Sequence, residues 1–346
     1  MKEESVVKDE PVTADAHARS VEVRVPASTS NLGSGFDCCG LALQLYLTVR
    51  ATVGTDSSEP CRVRTRGEGA SASLPRSKKN LIYRAMRLVA EGESLSLPPV
   101  RLAARNEIPL ASGLGSSGAA IIAGIALGAA LGGRELPTET VLRYATQLEG
   151  HADNVAAALL GGWVVHCIKP DGGVLAVKRP WPSDLKVTVI SPHFLLETRR
   201  ARAVLPDNVK RADAVYNMQR VALFNAAIEE HDYDLLWEAM QDRLHQTCRQ
   251  VLVPGLAEAL TIPRRSGLLG VALSGAGPSV LALALDDDVE IGNVIAESFR
   301  RHGIEATVRR LAVDEEGIRV RAKVKGTYGY KSFSVFQWPT AYVRPR

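Results

Sequence analysis

The chain of 346 residues is short of the features that mark several protein classes. Its five cysteines (Cys38, Cys39, Cys61, Cys167, Cys248) are odd in number and form no Cys-x-x-Cys pair, which argues against a disulfide framework and a structural zinc site. A reduced, cytoplasmic setting is the expectation. The longest apolar run, Ala119–Leu131, has 13 residues, where a membrane span needs about 20. No membrane association is therefore expected. Net charge is only +4, from 42 basic and 38 acidic residues spread along the chain. That balance is too weak and too dispersed to argue for a nucleic-acid partner. Residues 1–20 mix both signs of charge without an apolar centre, so they read as a flexible leader and not as a secretory signal. Aromatic residues are scarce too, and six of the 18 crowd into the last 26 residues beside six basic residues and no acid. Those residues read as an accessory tail without chemistry, the alternative being a docking arm.

What is present is an ordinary globular balance, 46% apolar and 23% charged, in a length that admits one large or two medium domains. The chain is organised around Pro109-Leu110-Ala111-Ser112-Gly113-Leu114-Gly115-Ser116-Ser117, which opens directly into a small-residue apolar run expected to be helical to Leu131. Glycines let the backbone approach a ligand closely. The first helical turn offers unpaired N–H groups, and the helix dipole favours negative charge there. The hydroxyls of Ser116 and Ser117 suit a phosphate oxygen or a magnesium ion. The stretch is neither a Walker A loop nor a dinucleotide fingerprint. Taken alone, it reads more readily as a tight turn feeding a closely packed helix.

The fold is expected to begin with a strand at Val21–Val25, ending at Pro26 in a polar glycine-containing loop, Ala27–Asp37. Strands are expected at Leu41–Val53, Cys61–Thr65, Val100–Asn106, Trp163–Ile168, Val174–Lys178, Lys186–Ile190, Val271–Ser274, Val280–Leu285 and Ala306–Ala312. Apolar positions at helical spacing predict helices over Asn80–Glu91, Pro137–Gln147, His151–Leu160, Asp213–Glu230, Tyr233–Leu244 and Val289–His302. Strands and helices interleave irregularly, which makes the class α+β. No internal repeat is found.

Three glycine-bearing loops stand in order: Pro26–Asp37, Gly113–Ser117 and Ser274-Gly275-Ala276-Gly277-Pro278-Ser279. Together they resemble the three motifs of the GHMP small-molecule kinases, over about Val21 to Val320. Within that superfamily, Pro26–Leu43 is similar to the homoserine kinase pattern Pro-Ala-x-x-x-Asn-Leu-Gly-x-Gly-Phe-Asp-x-x-Gly-Leu-Ala-Leu. So are Glu149-Gly150-His151-Ala152-Asp153-Asn154-Val155, Thr198-x-x-x-Arg202 and Asp242-x-x-His245-x-x-x-Arg249. Gly118 departs from the family, which usually has alanine there.

The resemblance implies a fold and an activity. The expected organisation is a leader (1–20), an ATP-binding domain similar to ribosomal protein S5 domain 2 (21–185), a ferredoxin-like C-terminal domain (186–320) and the tail (321–346). The implied reaction is phosphorylation of L-homoserine by ATP to O-phospho-L-homoserine, a step of threonine synthesis. A homodimer is a possible assembly, since the family is often dimeric.

By the same resemblance, Pro109–Ser117 holds the nucleotide, with Asn80 marking the adenine side, and Ser117 and Glu149 hold Mg2+. The homoserine carboxylate wants guanidinium forks, for which Arg202 and Arg249 are the candidates. Asn31 and Asp37 would accept from its ammonium, and Gly275 permits close approach of the third loop. Asn154 would bind the reacting hydroxyl, supported by His151, and direct attack without a strong base is implied. Asp153 remains a rival base or a helix cap. The alternatives are a GHMP kinase for another alcohol, such as shikimate or mevalonate, and a catalytically silent binding protein.

Overall fold

The computed structural model describes residues 20–54, 58–71, 74–285, 289–323, 331–332 and 336–337. The first half builds one sheet with helices on its inner face. Its elements are β1 (Ser20–Asn31), β2 (Gly35–Val53), β3 (Cys61–Gly67), α1 (Leu81–Gly92), β4 (Val100–Asn106), α2 (Ser116–Leu131), β5 (Leu136–Pro137), α3 (Thr138–Glu149), α4 (Asp153–Leu160), β6 (Trp163–Ile168) and β7 (Val174–Arg179). The second half comprises β8 (Lys186–Pro192), α5 (Thr198–Ala203), α6 (Arg211–Glu230), α7 (Leu236–Ala239), α8 (Gln246–Arg249), α9 (Leu256–Leu260), β9 (Leu268–Leu273), β10 (Val280–Ala284), α10 (Val289–Arg300), β11 (Ala306–Leu311), β12 (Arg319–Lys323), β13 (Lys331–Ser332) and β14 (Phe336–Gln337). Leader residues 1–19 and most of the tail lie outside the described residues.

The main sheet has the order β13-β12-β1-β2-β4-β3, with β6 and β7 branching from β2. The second sheet, β11-β8-β10-β9, is antiparallel. Numbered in their own chain order, its strands run 4-1-3-2, the ferredoxin-like arrangement. The α+β class holds. At Arg319 the chain returns to the main sheet, where β12 pairs with β1. Two strand fragments of the tail also pair with the body: β13 with β12, and β14 with β5, where Phe336 is buried.

Helix α2 is apolar all round and is buried from Gly118 through Ala129 but for Ala120, as expected of a helix enclosed by neighbours. It packs between α1, β1, α3 and α4. Thus the glycine-rich turn before it is anchored at the centre of the molecule. Among the described residues no helix is long and apolar enough to cross a membrane.

Two local expectations fail. The segment Ala27–Asn31 is not a loop: β1 continues to Asn31 and pairs with β2 from Ala27↔Leu43 to Ser30↔Gly40. Its polar run looks like solvent-facing sequence, but Ser28, Thr29 and Ser30 are buried and their hydroxyls have partners inside. The helix expected over Tyr233–Leu244 breaks into a 3-10 turn and the short α7. Asp242 then accepts from the backbone N–H groups of Leu244, His245 and Gln246, redirecting the chain into α8.

Period-two alternation also gathers charge that looked scattered in the sequence. Arg62, Arg64 and Arg66 on β3 face outward, as do Arg101 and Arg105 on β4, Arg50 on β2 and Arg24 on β1. Arg24, Arg50, Arg64, Arg66 and Arg105, with Glu22 and Glu107, line a groove of about 690 Å³ on the outer sheet face. The register sets Arg66 beside Arg105, and Arg62 beside Arg101. Like charges opposed across a ladder cost about 0.2–1 kcal/mol. Arg66→Glu is therefore expected to raise stability by about 0.5 kcal/mol in urea melts at low salt, with the gain shrinking at 1 M NaCl as charges are screened. A loss of stability at low salt would show that Arg66 is not repelled.

Candidate active site

A smaller cavity, about 240 Å³, lies where β1, the turn before α2, the start of α4, α5, α8 and the loop after β9 converge. Its lining contains Ser30, Asn31, Asp37, Ala111–Ser117, Glu149, His151, Asp153, Asn154, Glu197, Thr198, Arg202, Arg249, Gly275 and Ala276. The third loop and the first two thus meet as expected. Pro109 and Leu110 do not reach the lining. Neither does Asn80: it caps α1, accepting from Ile82 N at 3.0 Å and donating to Pro75 O at 2.8 Å. Its expected role beside the nucleotide has no support from its side-chain contacts.

The turn before α2 has no room for side chains. Gly113 and Gly115 have φ +81° and +67°. A Cβ on Gly113 would sit 2.1 Å from Ser274 O, and one on Gly115 2.1 Å from Ser28 Oγ. Ser28 N donates to Leu114 O at 3.2 Å, Ser279 N to Ser112 O at 3.1 Å and Gly275 N to Ser30 O at 3.1 Å. The backbone therefore forms a knitted floor under the cavity. No side chain caps the N-terminus of α2, so its first-turn N–H groups and positive dipole end are left for an anion. At Gly118 an added Cβ would make only ordinary contact, 3.4 Å from Asn154 Cβ, so the alanine usual in the family would fit.

Charged groups line the opposite wall. Arg202 makes a bidentate pair with Asp37, at 2.9 and 2.6 Å, and this pair is about one-third exposed. Asn31 accepts from Asp37 N at 3.1 Å and donates to Gly275 O at 3.0 Å. Asp37 itself has φ +53°, a conformation that Asp tolerates better than most residues. Asn31 and Asp37 therefore stand together at the cavity, with Arg202 joined to Asp37. Arg249, 1% exposed, touches no carboxylate among the described residues; it donates to Ala201 O and Gly275 O at 3.1 Å each. Burial, with Arg202's charge, lowers its pKa to about 10.

On the third side Ser117 Oγ donates to Glu149 Oε1 at 2.5 Å. Burial pushes the Glu149 carboxyl above its ordinary range, against the opposing effects of the Ser117 hydroxyl and His151. Such a carboxylate beside a hydroxyl fits the hard-oxygen donor set of Mg2+, which usually retains waters and substrate phosphates as its other ligands. No cluster of three or more His, Cys, Asp or Glu suited to a metal occurs among the described residues.

Asn154 is buried but lines the cavity; it accepts from Ser28 Oγ at 2.9 Å and donates to Ser30 Oγ at 3.2 Å. His151 Nδ1 lies 2.5 Å from Asp153 Oδ1, which also accepts from Asn154 N at 2.6 Å. Asp153 is the first residue of α4 and not its cap, since Ala152 takes the cap position and no side chain caps the helix; it faces the cavity as well. Burial works to raise its carboxyl pKa, but the His151 hydrogen bond and charge and the Asn154 N–H outweigh this and hold it low. Burial likewise works to lower the pKa of His151, and Asp153 outweighs that, leaving it raised. Residues absent from the sequence-based site, Ser30 and Glu197, also line the cavity. Ser30 was hidden by its misread loop, whereas Glu197, next to the Thr198 motif, carried no signal of its own.

The sequence pattern of the GHMP kinases N terminal domain matches residues 80–162, and that of the GHMP kinases C terminal region matches residues 224–301. A homoserine kinase of Aquifex aeolicus is 40% identical over 301 residues, covering 87% of this chain and 99% of the relative. The chain belongs to the homoserine kinase family. A second member, from Moorella thermoacetica, is 43% identical over 297 residues, covering 85% of this chain and 98% of the relative. The crystal structure of homoserine kinase from Cytophaga hutchinsonii superposes with TM-score 0.76 at 29% identity, over 88% of this chain and 98% of that one. Mevalonate kinase, at 14% identity and TM-score 0.60, shares the fold. The chain is thus an enzyme of the kinase class with the GHMP kinase fold.

The ionised His151–Asp153 pair has a defined pH window. Asp153, with its lowered folded pKa, contributes stability above the unfolded carboxyl value of about 4, and this is lost as pH falls through the folded value. His151, with its raised folded pKa, contributes below the unfolded imidazole value of about 6.5, and this is lost as pH rises through the folded value. The Tm gap between the parent protein and Asp153→Asn is therefore expected to be widest at about pH 5–6 and to narrow by pH 9. A gap that stays constant across the range would mean the pair is not ionised.

Proposed function

We propose that this chain transfers the γ-phosphoryl group of ATP to the side-chain hydroxyl of L-homoserine, yielding O-phospho-L-homoserine and ADP. The observation that carries this reading is one cavity with two unlike walls: the α2 turn suited to phosphates, and Asn31, Asp37, Arg202 and Arg249 suited to a small zwitterion. The relatives named homoserine kinase support it across nearly their whole length.

In this reading, the N–H groups of the α2 turn and the Ser116 hydroxyl bind the triphosphate. Ser117 and Glu149 would hold Mg2+, which supplies charge neutralisation at the phosphates. Arg249, buried without a carboxylate partner among the described residues, receives the homoserine carboxylate. Asn31 and the Asp37 carboxylate, with Arg202 as its counter-ion, accept from the ammonium. Asn154, fixed by Ser28 and Ser30, orients the acceptor hydroxyl.

Attack forms the bond from the homoserine oxygen to the γ-phosphorus and breaks the bond to the β,γ-bridging oxygen, whose electron pair leaves with ADP. Asp153 is a poor proton acceptor, because its neighbours stabilise the ionised carboxylate. His151 donates its Nδ1–H to that carboxylate in the ionised pair. Neither Asp153 nor His151 therefore serves as the base, and in this reading the hydroxyl proton passes to a phosphoryl oxygen. Phosphoryl transfer requires chiefly positioning and charge stabilisation, so this is sufficient.

ADP release measured against homoserine, shikimate, mevalonate and galactose tests the acceptor. Turnover with homoserine alone is expected; turnover with another alcohol in its place, or with none, overturns the reading. Asn154→Leu is expected to lower kcat about 100-fold or more, with KM for ATP changed less than threefold. A near-parental kcat would remove Asn154 from the chemistry.

A further inference from the structure

His245 is fully buried and does not line the cavity, yet it touches two residues that matter to it. Its Nε2 lies 2.8 Å from Gly33 O, and its Nδ1 lies 3.1 Å from Arg249 Nη1. These two partners determine the proton positions. A carbonyl oxygen only accepts, so Nε2 carries the hydrogen; a guanidinium only donates, so Nδ1 presents its lone pair. The imidazole is consequently neutral and single in tautomer. Asp242 Oδ1, 3.7 Å from Nε2, is too distant to compete with Gly33 O.

The ring has little freedom to turn. It stacks on Phe36 with centroids 5.0 Å apart and planes at 21°. Its backbone N–H donates to Asp242 Oδ2 at 2.9 Å, and Asp242 is held in turn by Asn217 Nδ2 at 2.7 Å. Asn217 also donates to Ser34 O, tying the same network to the turn between β1 and β2.

Gly33, Phe36 and Asp37 belong to the turn and first residues of β2, beside the proposed ammonium site. Arg249 belongs to α8 and forms the proposed carboxylate site. One imidazole spans them. We propose that His245 is a positioning residue that sets the separation between the ammonium-binding and carboxylate-binding groups, and so makes the enzyme selective for alcohols that carry an α-amino acid. It does this by accepting from Arg249 while donating to Gly33. The outer edge of the guanidinium is thereby left to the cavity, which Arg249 lines. Removing the acceptor leaves one Arg249 N–H without its partner and frees the guanidinium to swing away from the cavity. This inference rests on the assignment of Arg249 to the homoserine carboxylate.

The test compares L-homoserine with 3-aminopropan-1-ol, which keeps the hydroxyl and ammonium and lacks the carboxylate. His245→Phe preserves ring volume and stacking but removes both polar contacts. It is expected to lower kcat/KM for homoserine about 100-fold, mainly through KM, with KM for ATP and kcat/KM for 3-aminopropan-1-ol within twofold of parental values. His245→Gln, which retains one donor and one acceptor, is expected to recover at least tenfold of the loss. Adding His245→Phe to Arg249→Gln is expected to cause no further loss, because both act through one contact.

Equal losses on both alcohols, or additive losses in the double variant, overturn the role of His245. If His245→Phe does not fold, the same comparison on His245→Gln decides: a smaller loss confined to homoserine supports the role, and an equal loss on both alcohols overturns it. An Arg249→Gln variant unimpaired on homoserine overturns the carboxylate assignment itself, and the inference with it. Impairment by Arg249→Gln with indifference to His245→Phe overturns the His245 role alone.

Discussion

The structure depends on the close approach of three backbone segments at Gly113. The turn before α2 is wedged between β1 and the loop after β9. Ser274 Oγ lies 2.8 Å from both the Gly113 carbonyl, to which it donates, and Thr29 Oγ1. Any side chain at Gly113 would collide with Ser274 O. Because the contact is backbone against backbone, it tolerates no adjustment by rotamer change. Displacing the turn by one methyl group would move the α2 N-terminus, Asn154 through Ser28, and the Gly275 carbonyl that Arg249 and Asn31 share. The α2 turn and the residues proposed to bind the acceptor are thus parts of one rigid floor, which is what the proposed in-line transfer requires.

Around that floor the charges are arranged unequally. Asp37 and Arg202 neutralise one another in a bidentate, partly exposed pair, while His151 and Asp153 do so in a buried one. Among the described residues Arg249 has no carboxylate partner, whereas Glu149 accepts from the Ser117 hydroxyl and has His151 Nε2 at 3.9 Å. A buried charge is costly unless something compensates it. Both groups face the cavity, where the proposed reaction sets a carboxylate against Arg249 and a cation against Glu149.

Much of this was legible from local pattern. The α2 run, the strands Val100–Asn106 and Trp163–Ile168, and the meeting of Asn31, Asp37, Ser117, Glu149, Asn154 and Arg202 at one cavity all agree with the sequence reading. The exceptions have a common cause. Ser28-Thr29-Ser30 looks like a loop because hydroxyls usually face water, and only partners 126, 124 and 245 residues distant in the chain make that strand buriable. Asn80 carries the signature of a helix cap and turned out to be one, its amide engaged with Ile82 N and Pro75 O. His245 stands in the Asp242-x-x-His245-x-x-x-Arg249 pattern, one helical turn from Arg249, but its contact with Gly33 exists only once α8 packs against the turn between β1 and β2.

By itself the sequence determined the periodicities of helix and strand, the three glycine-bearing turns and the residue types of the site, since these depend on φ freedom, side-chain spacing and donor chemistry within a few neighbouring residues. Tertiary structure alone decided which charges are neutralised and which stay available, which hydroxyls are buried, and how charge is distributed over the surface. The arginines of β3 and β4 appear dispersed along the chain, but strand pairing places Arg66 beside Arg105 on one outer face. Packing likewise buries Arg249 against Ala201 O and Gly275 O with no carboxylate partner among the described residues. Electrostatic partnership depends on distances of a few ångströms between residues far apart in the chain, and those distances are set only by packing.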